Sequence, residues 1–173
     1  MDGDGRLDLI NLRTASQPGG AVIQVTLASG RVLSVRTGTM PAALPALVTV
    51  GNVDGRPGDE LFVDVEHIST SDSIGVYTYA GGQLRLAGEA PVSAHPGLFA
   101  GITCTARGSQ RILSAHQFVL QPLTGPRYWT RQDTNYVWQG SLLSQQAPAA
   151  VTRIAGTPPP GLVGVHCGHT PTP

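Results

Sequence analysis

An acidic, glycine-bearing turn that runs straight into an apolar stretch occurs twice in the first third of the chain. Asp2-Gly3-Asp4-Gly5-Arg6-Leu7-Asp8-Leu9-Ile10 is one copy, and Gly51-Asn52-Val53-Asp54-Gly55-Arg56-Pro57-Gly58-Asp59-Glu60-Leu61-Phe62-Val63 is the other. A unit this short cannot bury an apolar face alone, so a chain of such units must stack them one on another. Each turn continues into a hairpin pattern. In the first unit Ile23–Leu27 is followed by Ala28-Ser29-Gly30 and then Arg31–Val35. In the second, Gly75–Tyr79 is followed by Ala80-Gly81-Gly82 and then Gln83–Leu86. Strand, glycine turn, strand is the hairpin signature.

A third unit is degenerate. Ala100-Gly101-Ile102-Thr103-Cys104 takes the place of Val50-Gly51-Asn52-Val53-Asp54, and Ile112 and Leu113 correspond to Leu61 and Phe62 after a one-residue insertion. Its hairpin is longer and aromatic, with Arg127–Thr130, then Asn135–Trp138, and Gly140 before Leu142 and Leu143. A fourth unit opens at Val163-Gly164-Val165-His166-Cys167. Anchored on Asp2, Asp54, Cys104 and Cys167, the spacings are 52, 50 and 63 residues. The expected organisation is one repeat domain over residues 1–173, with units at about 1–49, 50–99 and 100–160 and the start of a fourth at 161–173. The period suits a four-stranded blade of a β-propeller or a sheet of a related stacked array. The chain therefore reads as all-β, a partial propeller or blade array of about three repeats of four antiparallel strands, beginning and ending inside a repeat.

Composition narrows the function. With 22 glycines and 14 prolines among 173 residues, and no sustained 3.6-residue periodicity, long helices are not expected. All 11 basic charges are arginine, so Schiff-base, phosphate-loop and kinase-type lysines are excluded. The formal net charge is zero and the arginines are scattered, which argues against nucleic acid or an anionic membrane as partner. No run approaches the roughly 18 apolar residues needed to span a bilayer. The opening Met-Asp-Gly-Asp-Gly is no signal peptide, so for an exported parent protein the signal is expected upstream of this chain or already removed.

The two acidic turns resemble the FG-GAP and VCBS repeats of integrin-α-like propellers and bacterial secreted proteins. The resemblance is good over about residues 2–10 and 50–88 and weak from 100 onward. It implies a blade whose Asp-x-Asp-x-Asp-Gly-x-x-Asp loop binds calcium, and an extracellular or cell-envelope location. Carried over by position, Asp2, Asp4 and Asp8 take the third, fifth and ninth loop places. Asn52, Asp54 and Glu60 take the first, third and ninth, with Arg56 at the fifth. Calcium requires six to eight oxygens. The first loop lacks its first ligand and the second has a cation among its ligands. The alternative is a pair of Asp-Gly turns capped by their own side chains, without an ion.

Cys104 and Cys167 replace the repeat's aspartate at equivalent places in successive units. Equivalent positions in neighbouring blades lie at similar heights, and an even cysteine count in an exported chain favours a disulfide. Two buried thiols are the alternative. His166-Cys167-Gly168-His169 lacks the paired ligands of a structural zinc site and reads as tail histidines. Tyr128, Trp129, Tyr136 and Trp138 place four of nine aromatics within eleven residues. They suit either cross-strand packing or a surface for a protein or glycan ligand. Along Leu61–Glu66, alternation puts Leu61, Val63 and Val65 on one face and Asp64 and Glu66 on the other, which reads as solvated. No nucleophile elbow, His-Glu-x-x-His or phosphate loop occurs. The expected function is a non-catalytic extracellular scaffold or binding domain. The alternative is part of a propeller-fold carbohydrate-active hydrolase or lyase using Asp64 and Glu66.

Overall fold

The computed structural model describes residues 1–14, 20–37, 46–68, 71–92, 94–95, 97–121 and 127–168. Among the described residues, fourteen strands form three sheets in chain order. The first sheet is β1 (Leu9–Thr14), β2 (Ala21–Thr26) and β3 (Val32–Arg36), each antiparallel to the next. The second is the antiparallel meander β4 (Ala46–Gly51), β5 (Glu60–Ile68), β6 (Ser71–Ala80) and β7 (Gln83–Val92). The third holds β8 (Ala94–His95), β9 (Leu98–Arg107), β10 (Gln110–Gln121), β11 (Tyr128–Gln139), β12 (Leu142–Gln145), β13 (Thr152–Ile154) and β14 (Gly164–His166). Its order is β12-β11-β10-β9-β14, with β13 beside β12 on β11 and β8 beside β14 on β9.

The glycine turns form where the sequence puts them. Gly81 and Gly82 have φ of 58° and 77° between the paired Ala80 and Gln83. Two consecutive positive values define a two-residue turn whose twist matches that of the strands, and glycine takes them without a Cβ penalty. Strand numbers depart from the uniform four expected, being three, four and seven. The stretch read as opening a fourth unit joins the third sheet, where β14 pairs parallel to β9 along Gly164↔Gly101, Val165↔Ile102 and His166↔Thr103. Tyr128–Gln139 is one strand, so the polar stretch between the aromatic pairs is strand too.

Packing is layered, with the second sheet in the middle. One core joins Ile23, Val25 and Leu33 of the first sheet to Leu61, Val63, Val65 and Tyr77 of the second. The other joins Phe62, Ile74 and Val76 to Ile102, Leu113 and Ala115 of the third. Successive residues of β5 thus serve opposite cores, as a period of two requires. This corrects the expectation of a solvated face on β5. Phe62 shares the face of Asp64 and is 0% exposed, because the third sheet covers it.

The chain also covers the far side of the third sheet. His116 and Phe118 alternate with the core residues Leu113 and Ala115 and so face away from the second sheet, yet they are 4% and 0% exposed. The segment returning from β13 to β14 lies on that side, since a Cβ on Gly101 would strike the carbonyl oxygens of Leu162 and Gly164. Its 3₁₀ turn, Pro160–Leu162, packs on β9. Among the described residues no helix is long and apolar enough to cross a membrane.

Candidate functional site

The two acidic turns lie against one another. A Cβ on Gly3 would sit 2.6 Å from Pro57, and one on Gly58 would strike the Met1 carbonyl oxygen. In the first turn Asp2 Oδ1 accepts the Asp4 N–H at 3.3 Å and Asp4 Oδ1 accepts the Arg6 N–H at 2.8 Å. Asp8 turns inward instead. Its Oδ1 accepts the Ala28 N–H at 2.9 Å and its Oδ2 lies 3.1 Å from the Met1 nitrogen.

The second turn is closed by its own side chains. The Asn52 amide nitrogen donates to the carbonyls of Arg56 and Gly58, and Asn52 Oδ1 accepts the Gly55 N–H at 3.1 Å. Asp54 Oδ1 accepts the Arg56 N–H at 2.7 Å. Arg56 reaches across to the Gly140 carbonyl at 2.6 Å, tying the turn to the third sheet. Glu60 is buried, with Oε2 accepting the N–H groups of Val53 and Asp54 at 2.8 and 3.2 Å and Oε1 accepting the Thr78 hydroxyl at 3.2 Å. Burial, and secondarily the Asp54 charge, push its carboxyl up to about 7 against those hydrogen bonds. Among the described residues no three His, Cys, Asp or Glu side chains gather in a way that would hold a metal ion.

Cys104 and Cys167 form a disulfide with Cα atoms 5.1 Å apart. The parallel register sets this up. Gly164 opposite Gly101 is an offset of 63 residues, the separation of the two cysteines. Cys167 is therefore no thiolate ligand, His166 Nε2 bonds the Val163 carbonyl at 2.7 Å, and His169 lies outside the described residues. At the same seam Thr49 donates to the Cys167 carbonyl at 2.9 Å, and Gly51 packs backbone to backbone on Gly168.

The four aromatics of β11 divide. Tyr136 and Trp138 pack into the core between the second and third sheets. Tyr128 and Trp129, at the other end of the strand, line an open groove of about 570 Å³ with Leu120, Ile154, Arg127 and Arg153. Arg153 lies 4.1 Å from the Tyr128 ring centroid and Trp129 lies 5.1 Å from the Phe99 ring. Asp64 is half-buried beneath the third sheet, and the side chain of its suggested partner Glu66 lies outside the described residues.

Sequence reading missed a polar network on the covered face of the third sheet. His116 Nε2 is 2.8 Å from Thr103 Oγ1 and its Nδ1 is 2.9 Å from Asp133 Oδ1. Arg131 grips the same carboxylate at 2.8 and 2.6 Å. Burial alone would raise Asp133, but the hydrogen bonds from Arg131 and His116 outweigh it and hold the carboxyl below its usual range. The network bridges β9, β10 and β11, which suits a clamp between strands. The scattered-arginine reading also misses a division of charge. Residues 1–92 carry six arginines and ten acids, whereas residues 93–173 carry five arginines and Asp133 alone, a formal −4 against +4. Comparison with family models, curated proteins and solved structures finds no match for this chain.

Proposed function

We propose that the chain is a non-catalytic, extracellular binding domain built from propeller-type repeats of the FG-GAP/VCBS kind, and that the groove beside Tyr128 and Trp129 is its ligand site. Three features support the blade reading: a four-stranded antiparallel meander packed on both faces, acidic turns stacked side by side, and like positions of successive units meeting at the seams. A disulfide is at home in an oxidising compartment. The observation that carries the binding role is the groove itself. Tyr128, Trp129, Arg127 and Arg153 line an opening of a size that holds small ligands.

The stacked sheets are the scaffold, and the groove is borne on the rigid ends of β11 and β13. A defined panel of oligosaccharides and short peptides, screened against the wild type and Trp129→Ala, tests this role. At least one member should bind, with affinity falling about tenfold in the variant. Binding that survives Trp129→Ala unchanged places the ligand elsewhere, and a panel with no binder removes the role.

A further inference from the structure

We infer that the groove beside Tyr128 and Trp129 binds an acidic saccharide, with a uronate carboxylate held by Arg127 and Arg153 and a sugar ring laid against the Trp129 indole. This rests on the binding-domain reading above and adds the chemical class of the ligand. Three observations carry it.

The first is the hydrogen-bonding character of the lining. Among the described residues, the polar or charged side chains of its lining belong to Arg127, Arg153, Trp129 and Tyr128. Of these four side chains only the Tyr128 hydroxyl can accept a hydrogen bond; arginine and tryptophan side chains donate and never accept. Among the described residues no carboxylate or carboxamide side chain lines the groove. A neutral sugar needs acceptors for its hydroxyl protons, and a peptide needs them for its amide protons. A ligand rich in acceptors is what such a surface satisfies.

The second is charge. No acidic residue occurs between Glu89 and Asp133 or after Asp133. Asp133 is already committed, gripped at two points by Arg131 and bonded to His116. Arg127 and Arg153 are exposed, and among the described residues neither pairs with a carboxylate. The third sheet thus presents two guanidinium groups that have no carboxylate partner among the described residues, on an excess of positive charge. Planar forks of this kind recognise carboxylates by paired hydrogen bonds.

The third is the placing of the rings. Arg153 is held over Tyr128 on one face of the third sheet and Trp129 is steadied by Phe99 on the other, since successive residues of β11 point to opposite faces, so a charge and a ring are each fixed at the groove before any ligand arrives. A uronate carries its carboxylate rigidly on a ring with an apolar C–H face, and so matches both features in one unit. An acidic peptide carries its carboxylates on flexible stems.

The test is titration of the intact, disulfide-bonded chain, followed by calorimetry and tryptophan fluorescence, with trigalacturonate, maltotriose and triglutamate as probes. Trigalacturonate should bind, about tenfold or more tightly than either other probe. Its affinity should fall about tenfold in Arg127→Gln and in Arg153→Gln, and several-fold as salt rises from about 50 to about 300 mM. Both arginines are exposed, so the variants should keep the wild-type melting temperature, which is checked alongside. Maltotriose binding as tightly as trigalacturonate overturns the acidic character and leaves the groove a sugar site. Triglutamate binding as tightly overturns the saccharide and points to an acidic peptide. Silence from all three removes the acidic saccharide, and the panel with Trp129→Ala then decides separately whether the groove binds at all.

Discussion

Glu60→Gln tests how the second acidic turn is held shut. The Glu60 side chain is 3% exposed, and its two oxygens take the Val53 and Asp54 N–H groups and the Thr78 hydroxyl. Burial first, and the neighbouring Asp54 charge after it, raise the carboxyl from 4.5 to about 7. A carboxyl that binds its proton more tightly in the fold than in the unfolded chain contributes stability that is complete below about 4.5 and is lost as pH rises through about 7. Between about pH 5 and about pH 8 the wild type should therefore lose about 2 to 3 kcal/mol. For a chain of this length that is roughly 5 to 10 °C in Tm.

Glutamine copies the protonated acid. Its oxygen can accept from Val53 and Asp54, and its amide can donate to Thr78 Oγ1. The variant should match the wild type within about 1 kcal/mol near pH 5 and exceed it by about 2 kcal/mol near pH 8. Urea denaturation of both proteins across that pH range measures it. The difference between the two curves isolates Glu60, since every other titrating group is shared. Parallel curves, or a wild type that gains on the variant as pH rises, would refute the reasoning.

Replacing both Cys104 and Cys167 by serine opens a loop whose ends are 63 positions apart and should cost about 4 kcal/mol in the chain-entropy picture. A loss below about 1 kcal/mol on urea denaturation would show that the bond adds little to the fold. Gly51→Ala puts a methyl group on the Gly168 backbone, which has no rotamer to move aside. About 1 to 3 kcal/mol should be lost, and an unchanged melting temperature would contradict the seam. Asn52→Asp removes the amide that donates to the Arg56 and Gly58 carbonyls and sets a charge against them. A fall of about 1 to 3 kcal/mol is expected near neutral pH, and stability equal to wild type would mean the turn does not depend on that amide.

The hairpins were legible because each pairs a local apolar pattern with a glycine turn, as at Gly81-Gly82. Layering was harder to read. Asp64 breaks the apolar run of β5 and suggests a wet face, while Phe62 on that same face is buried by a sheet that lies some forty residues further along the chain. The alignment of Cys104 with Cys167 came from the repeat, and the same offset is the register of β9 on β14. No local pattern announces that these strands run parallel. His116 and Asp133 are 17 residues apart and meet only through the register of β10 and β11, so nothing in their spacing signals the pair. The split in charge was open to reading but vanished in a net charge of zero. The groove was half visible. Tyr128 and Trp129 stood out as aromatics, whereas Arg153 reaches them on β13, a three-residue strand with no pattern of its own.

The Cys104–Cys167 bond also decides how the molecule would bear a mechanical load. Tension applied along the backbone from the first sheet would reach Cys104, pass through the sulfur atoms and rejoin the chain at Cys167. All of β10, β11, β12 and β13, together with the groove between Tyr128 and Arg153, lies inside this covalent shunt and would carry no force. Stretching would release the first two sheets while withholding roughly 200 Å of contour from the 63-residue span. A ligand held in that groove would be insulated from pulling on its carrier.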